Sequence, residues 1–376
     1  MFDTKIGVLG GGQLGLMLLQ AAIDWNLNIS ILDPDPNAPC AELVRDFRCG
    51  DLQDFQTVYD FGLAMDVITI EIEKVNVDAL EALERAGKKV FPQPHVLRII
   101  QDKRLQKQFY RDNHLPTADF ILTQNQADAA LHTDFLPAFH KLGRDGYDGR
   151  GVQRLDSPAD FAKAFDAPSL LEKAVDFDKE LAVIVARNER GEVQTFPTVE
   201  MVFHPEANLV SYLFAPAQIA ESVNEQAQGL ALQTAEAFGI VGVLAVEMFL
   251  TKDGALLINE AAPRPHNSGH QSIRANVTSQ YEQHWRAILG LPLGATTAYS
   301  PAAMVNLLGH EAHTGPVSYQ GLEKLLEMPG VFVFLYGKKT TKPFRKMGHV
   351  TVMDASVDAL RAKVATVQAT VRVVSR

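Results

Sequence analysis

The sequence predicts an α/β protein that begins with a parallel sheet covered by helices on both faces and continues into a β-rich region. In the first hundred residues, short apolar runs alternate with segments of helical periodicity. From about residue 115 onward, β-type runs are separated by glycines. Regular alternation of strands and helices is typical of a parallel sheet. The length of 376 residues is enough for two or three domains.

The N-terminal elements follow from their hydrophobic patterns. Lys5 to Leu9 and Asn28 to Leu32 are apolar runs that predict strands, and Gln13 to Asp24 between them has helical periodicity. Asp66 to Ile70 predicts a further strand, and Val77 to Ala86 predicts a helix. Two prolines then interrupt the pattern, so we expect a Rossmann-like domain over residues 1–98.

The rest of the chain is expected to form a central domain over 99–295 and a small β-rich domain over 296–376. The central domain includes a glycine-rich part, about 115–178, that we interpret as a lid. Predicted elements in these regions are helices over Asp102–Asn113 and Ala220–Phe238, strands over Phe135–His140 and Ser169–Leu171, a hairpin over Gly242–Glu260, and a late helix from Ser356.

Composition excludes several classes of protein. The formal net charge of −10 argues against a nucleic-acid-binding surface, which is generally basic. No apolar run approaches the ~20 residues of a membrane span, and the N-terminus has no basic start typical of a signal peptide. The two cysteines, Cys40 and Cys49, have no metal-ligand spacing. We therefore expect a cytoplasmic protein without a membrane or nucleic-acid partner.

Three glycines, Gly10, Gly12 and Gly15, form a GxGxxG pattern between the first predicted strand and helix. Such a loop lets a phosphate approach the helix N-terminus, and Asp33 ends the second strand where a dinucleotide fold places its ribose-binding acid. Taken alone, the pattern favours a nicotinamide-dependent oxidoreductase. It is equally compatible with tight strand–helix packing, so its context has to decide.

A second glycine-rich segment, from Gly143 to Gly151, contains arginines and aspartates that a packed strand would exclude. We interpret it as a lid whose amides and cations close over the phosphates of a nucleotide, although a plain surface turn has the same composition. Lys141 is placed to reach those phosphates, and Lys103 is a second candidate whose position equally suits a solvated surface charge. Glu172 to Val175 is a candidate for the ribose or adenine edge.

The predicted hairpin places two carboxylates opposite each other. Asp253-Gly254 is a strong two-residue turn signal, and symmetric pairing from Lys252 and Ala255 outward brings Glu247 against Glu260. Opposed like charges destabilise a sheet unless a cation lies between them. Magnesium prefers such oxygen ligands beside phosphates, so we predict a magnesium site here. Asn259 points to the other face and needs a β-bulge to join it. The alternative to a metal site is an exposed hairpin end at which both carboxylates point to water.

Seven ordered segments together closely resemble the ATP-grasp family. Within it, the match is to the purine-biosynthetic group that makes N5-carboxyaminoimidazole ribonucleotide. The segments are Gly10–Gly15, Thr69–Glu73, Gln106–Gln108, Gly146–Gly151, His266–His270, Ser279–Glu282 and Arg345–His349.

The resemblance implies an ATP-grasp fold with an N-terminal Rossmann-like domain, and a ligase that uses ATP and Mg²⁺. Bicarbonate is activated as carboxyphosphate, and its carboxyl group is transferred to the amine of 5-aminoimidazole ribonucleotide. ADP and phosphate leave. A homodimer is the expectation from the family.

The resemblance also implies roles for individual residues. Tyr147, Asp148, Arg150 and His270 are the implied catalytic residues, and Glu247 and Glu260 are the implied metal ligands. ATP would be bound by Lys103, Lys141, Gly146, Tyr147, Asp148, Gly149, Arg150, Gly151, Val152, Glu172, Lys173, Ala174, Val175, Glu180, Asn259 and Glu260. The ribonucleotide would be bound by Gln13, Glu73, Asn267, Ser268, His270, Lys338, Arg345 and Lys346.

Overall fold

The computed structural model describes residues 3–144, 146, 151–204 and 209–376. Four of the predicted lid residues, Tyr147 to Arg150, therefore lie outside the described residues. In the ranges described, no helix is both long enough and apolar enough to cross a membrane.

The N-terminal sheet is parallel throughout, in the strand order β3-β2-β1-β4-β5. This confirms the predicted doubly covered arrangement, and strands β1, β2 and β4 are buried at nearly every position, as such strands are. The strands are β1 Lys5–Leu9, β2 Asn28–Asp33, β3 Asp46–Cys49, β4 Val67–Ile70 and β5 Lys89–Val90, and the helices are α1 Gln13–Ile23, α2 Phe55–Leu63, α3 Val77–Arg85 and α4 Pro94–Ile100.

Separate hydrophobic cores cover the two faces of this sheet. On one face, Leu14 of α1 packs in the same cluster as Trp285, which comes from a helix much later in the chain. On the other face, Phe61 of α2 and Leu83 of α3 pack against the strands. The Trp285 indole also donates a hydrogen bond to the carbonyl of Leu18 at 2.9 Å. The N-terminal sheet is therefore attached to the later part of the chain through helix α1 on this face.

Two antiparallel sheets make up the central region. The smaller, in the order β6-β9-β7-β8, is the predicted lid, and the larger begins with the hairpin β14–β15 and continues through β10, β12 and β13. The elements are α5 Lys103–Asp112, β6 Phe120–Thr123, α6 Gln126–Ala129, β7 Ala138–Leu142, β8 Val152–Leu155, β9 Ser169–Lys173, β10 Phe177–Arg187, β11 Val193–Thr195, β12 Val199–Phe203, β13 Val210–Ala215, α7 Glu221–Phe238, β14 Gly242–Thr251 and β15 Leu256–Ala262.

Three of the C-terminal strands extend the larger sheet, and three others form a separate small sheet. Strand β16 pairs with β13, so the sheet runs continuously past the boundary expected near residue 296. The elements are α8 Ser272–Ala275, α9 Gln280–Ile288, β16 Ala302–Leu308, β17 Gly315–Gln320, α10 Leu322–Leu326, β18 Val331–Leu335, β19 Thr340–Thr341, β20 Lys346–Met353, α11 Val357–Thr370 and β21 Arg372–Ser375, with 3-10 turns at Thr133–Phe135, Pro158–Lys163 and Asn267–Gly269.

One strand lies further along the chain than predicted. The expected strand Phe135–His140 is wrong at both ends, because Thr133–Phe135 is a 3-10 turn and β7 runs from Ala138 to Leu142. Lys141 is therefore inside a strand and pairs with Val152. Pro137, directly before the strand, ends the apolar run that suggested the earlier start.

Candidate active site

Lysines and glutamates meet where helix α5, the lid sheet and the hairpin β14–β15 come together. The Lys103 ammonium lies 2.6 Å from a carboxylate oxygen of Glu260. Glu172 is shared by two lysines, with its Oε1 2.7 Å from Lys141 Nζ and its Oε2 2.6 Å from Lys107 Nζ. We call these five residues the lysine–glutamate cluster. The cluster lies between two antiparallel sheets, so a phosphate chain bound there would be surrounded by lysine ammonium groups.

Glu172 is ionised in this cluster although it is almost fully buried. Burial alone would raise the pKa of Glu172, but Lys141 and Lys107 lower it to about 2. Sequence reasoning missed Lys107, which lies one helical turn after Lys103. The i, i+4 spacing of two lysines in the motif-bearing helix was the available signal.

The structure places Glu247 opposite Glu260, as the sequence predicts, but by a different register. Near the turn, Leu250 pairs with Leu256 and the amide of Thr251 bonds to the carbonyl of Ala255, so the predicted opposition of Lys252 and Ala255 is wrong. The register shifts by one between Glu247 and Met248. This irregularity restores the pairing of the two carboxylates.

Asn259 is the extra residue of that β-bulge, because Met248 pairs with Ile258 and Glu247 pairs with Glu260. Its side-chain oxygen accepts a hydrogen bond from Lys141 Nζ at 3.4 Å. The bulge thus brings Asn259 to the lysine–glutamate cluster, in the way the sequence analysis required.

The two opposed carboxylates have different surroundings. The Lys103 ammonium lowers the pKa of Glu260. Burial, followed by the charge of Glu260, raises the pKa of Glu247. Burial and Glu260 likewise raise the pKa of Glu180, on the neighbouring strand β10, to about 7. The charge of Glu260 thus acts on both Glu247 and Glu180.

Donor chemistry at this position fits magnesium in part. In the ranges the structure describes, His, Cys, Asp and Glu side chains form no group of three poised around one metal ion. Glu247 and Glu260 supply two carboxylates, and Asn259 adds an amide oxygen nearby. Mg²⁺ usually completes its octahedron with water and substrate phosphates, so a two-carboxylate site suits it.

The described lid residues differ in what their polar groups contact. The Lys173 side chain donates to the carbonyls of Phe135 and Leu136 at 3.1 and 3.0 Å, so it points away from the cluster. The amide of Ala174 donates to the carbonyl of Pro137. Gly151 has a left-handed φ of +75°, which suits glycine where the chain re-enters β8.

The N-terminal glycine loop is filled by the protein itself. A carboxylate from the end of β4, Glu71, accepts hydrogen bonds from the amides of Gly12, Leu14 and Gly15 at 3.2, 3.1 and 2.9 Å. Asp33 accepts another from the amide of Gly11 at 2.6 Å. The amides that would bind a pyrophosphate are thus already paired, and the dinucleotide interpretation is wrong. Sequence reasoning missed Glu71.

Part of the predicted ribonucleotide cluster is assembled around Lys338. Its ammonium donates to the Gln13 side-chain oxygen at 2.6 Å and to the backbone carbonyl of Lys346 at 2.7 Å. Arg345, by contrast, is turned toward Thr340, donating to its carbonyl at 2.7 Å. The structure therefore joins the loop of Gln13 to Lys338 and Lys346, while the Arg345 guanidinium contacts its own loop.

The segment after β15 links several of the predicted residues. Glu73 forms an ion pair with Arg264 at 2.8 Å, and Asn267 exchanges two hydrogen bonds with Asn306 at 2.9 and 3.0 Å. The hydroxyl of Ser268 bonds to His266 Nδ1 at 2.9 Å. These contacts fix the segment between the N-terminal sheet and the C-terminal strands.

His266 also approaches the metal candidate. Its Nε2 lies 3.4 Å from a carboxylate oxygen of Glu247, so the segment reaches the paired glutamates. Neither His266 nor Arg264 was predicted individually. His266 begins the segment His266–His270 and Arg264 lies two residues before it, so that segment was the only sequence signal for them.

The predicted catalytic residue His270 is fully buried. Its Nδ1 bonds to the hydroxyl of Tyr281 at 2.8 Å, and its ring lies 4.7 Å from that of His349. Among the described residues, Nε2 has no hydrogen-bond partner. Burial lowers the pKa of His270 well below its ordinary value, so the imidazole is neutral. In this structure it supports the site from beneath and does not line an open surface.

Comparison with known domain families assigns almost the whole chain. The ribonucleotide synthetase preATP-grasp domain matches residues 3–101, and the ATP-grasp domain matches residues 108–281. The phosphoribosylaminoimidazole carboxylase C-terminal domain matches residues 302–363. Along the chain, the three matches correspond to the N-terminal parallel sheet, the central antiparallel sheets and the C-terminal strands.

Curated relatives and solved structures agree with this assignment. The N5-carboxyaminoimidazole ribonucleotide synthase of Bacillus subtilis is 37% identical over 94% of this chain and 92% of its own length. The N5-carboxyaminoimidazole ribonucleotide synthetase of Thermotoga maritima superposes with a TM-score of 0.92 at 39% identity, covering 99% of this chain and 100% of that one. The synthase of Aspergillus clavatus, solved with ADP and 5-aminoimidazole ribonucleotide, gives 0.90 at 33% identity and 98% coverage of both. This chain belongs to the N5-carboxyaminoimidazole ribonucleotide synthase family of ATP-grasp ligases.

Proposed function

We propose that the protein uses ATP to carboxylate 5-aminoimidazole ribonucleotide with bicarbonate, giving N5-carboxyaminoimidazole ribonucleotide, ADP and phosphate in purine biosynthesis. The observation that carries this within the molecule is the pair Glu247 and Glu260, opposed on one hairpin beside Lys103 and Lys141. The family supplies the substrate, since a relative of the same fold has been solved with ADP and this ribonucleotide.

ATP would lie between the lid sheet and the hairpin. Its phosphates would contact Lys103 and Lys141, and the segment Gly146–Val152 would close over them. The base and ribose would meet the strand end Glu172–Val175 and Glu180. Support for this comes from the lysine–glutamate cluster, in which the lysines are paired with carboxylates that a phosphate chain could displace.

Magnesium would be held by Glu247 and Glu260, with Asn259 beside them. When bound, it would neutralise the phosphate oxygens during transfer. The protein's own contribution is to hold the two carboxylates face to face, through the register shift that follows Glu247.

The reaction has three steps in this proposal. A bicarbonate oxygen attacks the γ-phosphorus of ATP, the bond to the β-phosphate oxygen breaks, and ADP leaves. The resulting carboxyphosphate releases carbon dioxide and phosphate, and the ribonucleotide amine attacks carbon dioxide and loses a proton. Tyr147, Asp148 and Arg150 would organise bicarbonate and the amine, and the lid would exclude water from the acyl phosphate.

The ribonucleotide would bind where the N-terminal and C-terminal sheets meet. Lys338, Arg345 and Lys346 would bind its 5′-phosphate, with Gln13 near them. The remaining proposed residues are Glu73, Asn267 and Ser268, which would be next to the ribonucleotide, and the buried His270, which would act from beneath them. Support comes from the Gln13–Lys338–Lys346 connection, which joins two sheets that are distant in sequence.

Three further assignments extend the proposal. The protein would be a homodimer and act in the cytoplasm. Its domains would be 1–98, 99–295 with the lid at about 115–178, and 296–376.

An assay of ADP release with single omissions tests the proposed function. ADP formation should require both bicarbonate and 5-aminoimidazole ribonucleotide for full rate. A different amine acceptor supporting the same rate would indicate another ATP-grasp ligase. No ADP with every substrate present would indicate a nucleotide-sensing protein without turnover.

A further inference from the structure

The carboxylate of Glu71 occupies the position that a phosphate takes in a dinucleotide-binding loop. Its Oε1 accepts the amide of Gly12, and its Oε2 accepts the amides of Leu14 and Gly15. The side chain is buried, and it comes from the end of β4, next to β1 in the sheet. Three hydrogen bonds from one turn make Glu71 the internal acceptor for the amides at the N-terminus of helix α1.

Two of the three glycines of this loop, Gly10 and Gly12, are explained by Glu71 itself. A Cβ atom on Gly10 would lie 2.5 Å from the Glu71 Cγ, and one on Gly12 would lie 2.7 Å from its Oε1. Gly10 also has a left-handed φ of +101°. The first two glycines of the GxGxxG pattern therefore make room for a carboxylate of the same chain, and the third, Gly15, avoids a Cβ 2.9 Å from the Gly10 carbonyl oxygen, so no external phosphate is needed to account for the pattern.

Glu71 holds the backbone on both sides of a single substrate-site residue. Gln13 lies between Gly12 and Leu14, and the amides of both neighbours are fixed by the carboxylate. The Gln13 side-chain oxygen in turn accepts a hydrogen bond from the Lys338 ammonium at 2.6 Å, and Lys338 also donates a hydrogen bond to the backbone carbonyl of Lys346. A continuous chain of contacts thus runs from Glu71 to the proposed phosphate cations.

We propose that Glu71 is a positioning residue for the ribonucleotide site, which fixes Gln13 and through it Lys338. It does not contact the substrate in this role. The inference rests on the proposed function, because Gln13 and Lys338 are assigned there to the ribonucleotide. Glu71 lies outside the lysine–glutamate cluster, so its effect should be confined to one of the two substrates.

The test compares Glu71→Gln with the wild-type enzyme. Glutamine keeps one acceptor oxygen for Leu14 and Gly15 but turns an NH₂ group toward the Gly12 amide, which is also a donor. We expect KM for the ribonucleotide to rise about tenfold, which corresponds to ~1.4 kcal/mol. KM for ATP should change less than twofold.

Two further variants separate positioning from general folding. Asp54→Asn is the matched control, because Asp54 accepts the amide of Thr57 at the N-terminus of α2, in the same domain but away from Gln13. It should leave both KM values unchanged. Glu71→Ala leaves three amides without their acceptor, and formate should restore part of its ribonucleotide KM, whereas chloride at equal ionic strength should not.

The outcomes distinguish this inference from the proposed function. If the wild-type enzyme forms no ADP in response to the ribonucleotide, the proposed function fails. If the wild type responds but Glu71→Gln keeps its ribonucleotide KM, or raises both KM values equally, the positioning role is overturned.

Discussion

Replacing Glu260 by glutamine removes one of the two opposed carboxylates while keeping the size of the side chain. In the proposed site this deletes a magnesium ligand and halves the anionic charge facing the metal. Loss of an interaction that stabilises the transferring phosphoryl group costs about 10²–10³ in kcat, the range measured for single preorganised electrostatic contacts. We therefore expect ADP formation to fall at least a hundredfold.

The fold should survive this change. The Lys103–Glu260 ion pair is partly exposed, with side-chain exposures of 23% and 44%, so its loss costs at most ~1 kcal/mol. Relief of the repulsion from Glu247 returns up to ~1 kcal/mol. The two contributions nearly cancel, so the melting temperature should move by no more than a few degrees.

Thermal melting in three conditions (without ligand, with ATP and magnesium, and with ATP and a chelator) separates the metal role from the fold. Wild-type protein should melt higher with ATP and magnesium than with ATP and a chelator. Glu260→Gln should lose that difference and keep its melting temperature without ligand. Glu225→Gln, which changes an exposed acid on α7, is the matched control and should behave as wild type. Full turnover with an unchanged magnesium-dependent shift in Glu260→Gln would refute the reasoning.

Three other predictions follow from the same structure. Arg345→Ala should raise KM for the ribonucleotide with little change in KM for ATP, and equal rises in both would contradict its phosphate role. Lys107→Met leaves the buried Glu172 with one lysine, so it should lower the free energy of unfolding by about 3 kcal/mol. Lys252→Met removes one partner of an exposed ion pair and should lower it by less than ~1 kcal/mol. Equal losses in the two variants would contradict the argument that burial makes the Lys107–Glu172 pair the more important one. Because the pKa of Glu180 is raised to about 7, kcat/KM for ATP should increase as pH rises through 7, when the ionised carboxylate accepts ribose hydroxyls. Glu180→Gln should remove that dependence, and a pH profile identical to wild type would exclude Glu180 as its source.

Local patterns predicted the regular elements well. The parallel order of the first sheet follows from strand–helix alternation, and the helix expected over 102–113 is observed over Lys103–Asp112. The hairpin is more instructive. The opposition of Glu247 and Glu260 is observed, although a β-bulge shifts the register near the turn. The position of a β-bulge depends on how the strand pairs with its neighbour, and a turn signal alone carries no information about that pairing.

Residues fixed by distant parts of the chain were harder to predict. Glu71 fills a loop from 59 positions away in sequence, and GxGxxG looks the same whether its anion is internal or bound. His270 was assigned to the substrate through its motif, but the packing of Tyr281 and His349 buries it. Tertiary packing decides both cases, and neither is encoded in local spacing.

Transfer of oxygen-18 from labelled bicarbonate tests the central claim most directly. If ATP activates bicarbonate as carboxyphosphate at this site, one bicarbonate oxygen must remain on the phosphate that is released. We expect phosphate with a single labelled oxygen, in amounts equal to the carboxylated ribonucleotide. Unlabelled phosphate formed together with the carboxylated product would contradict the account.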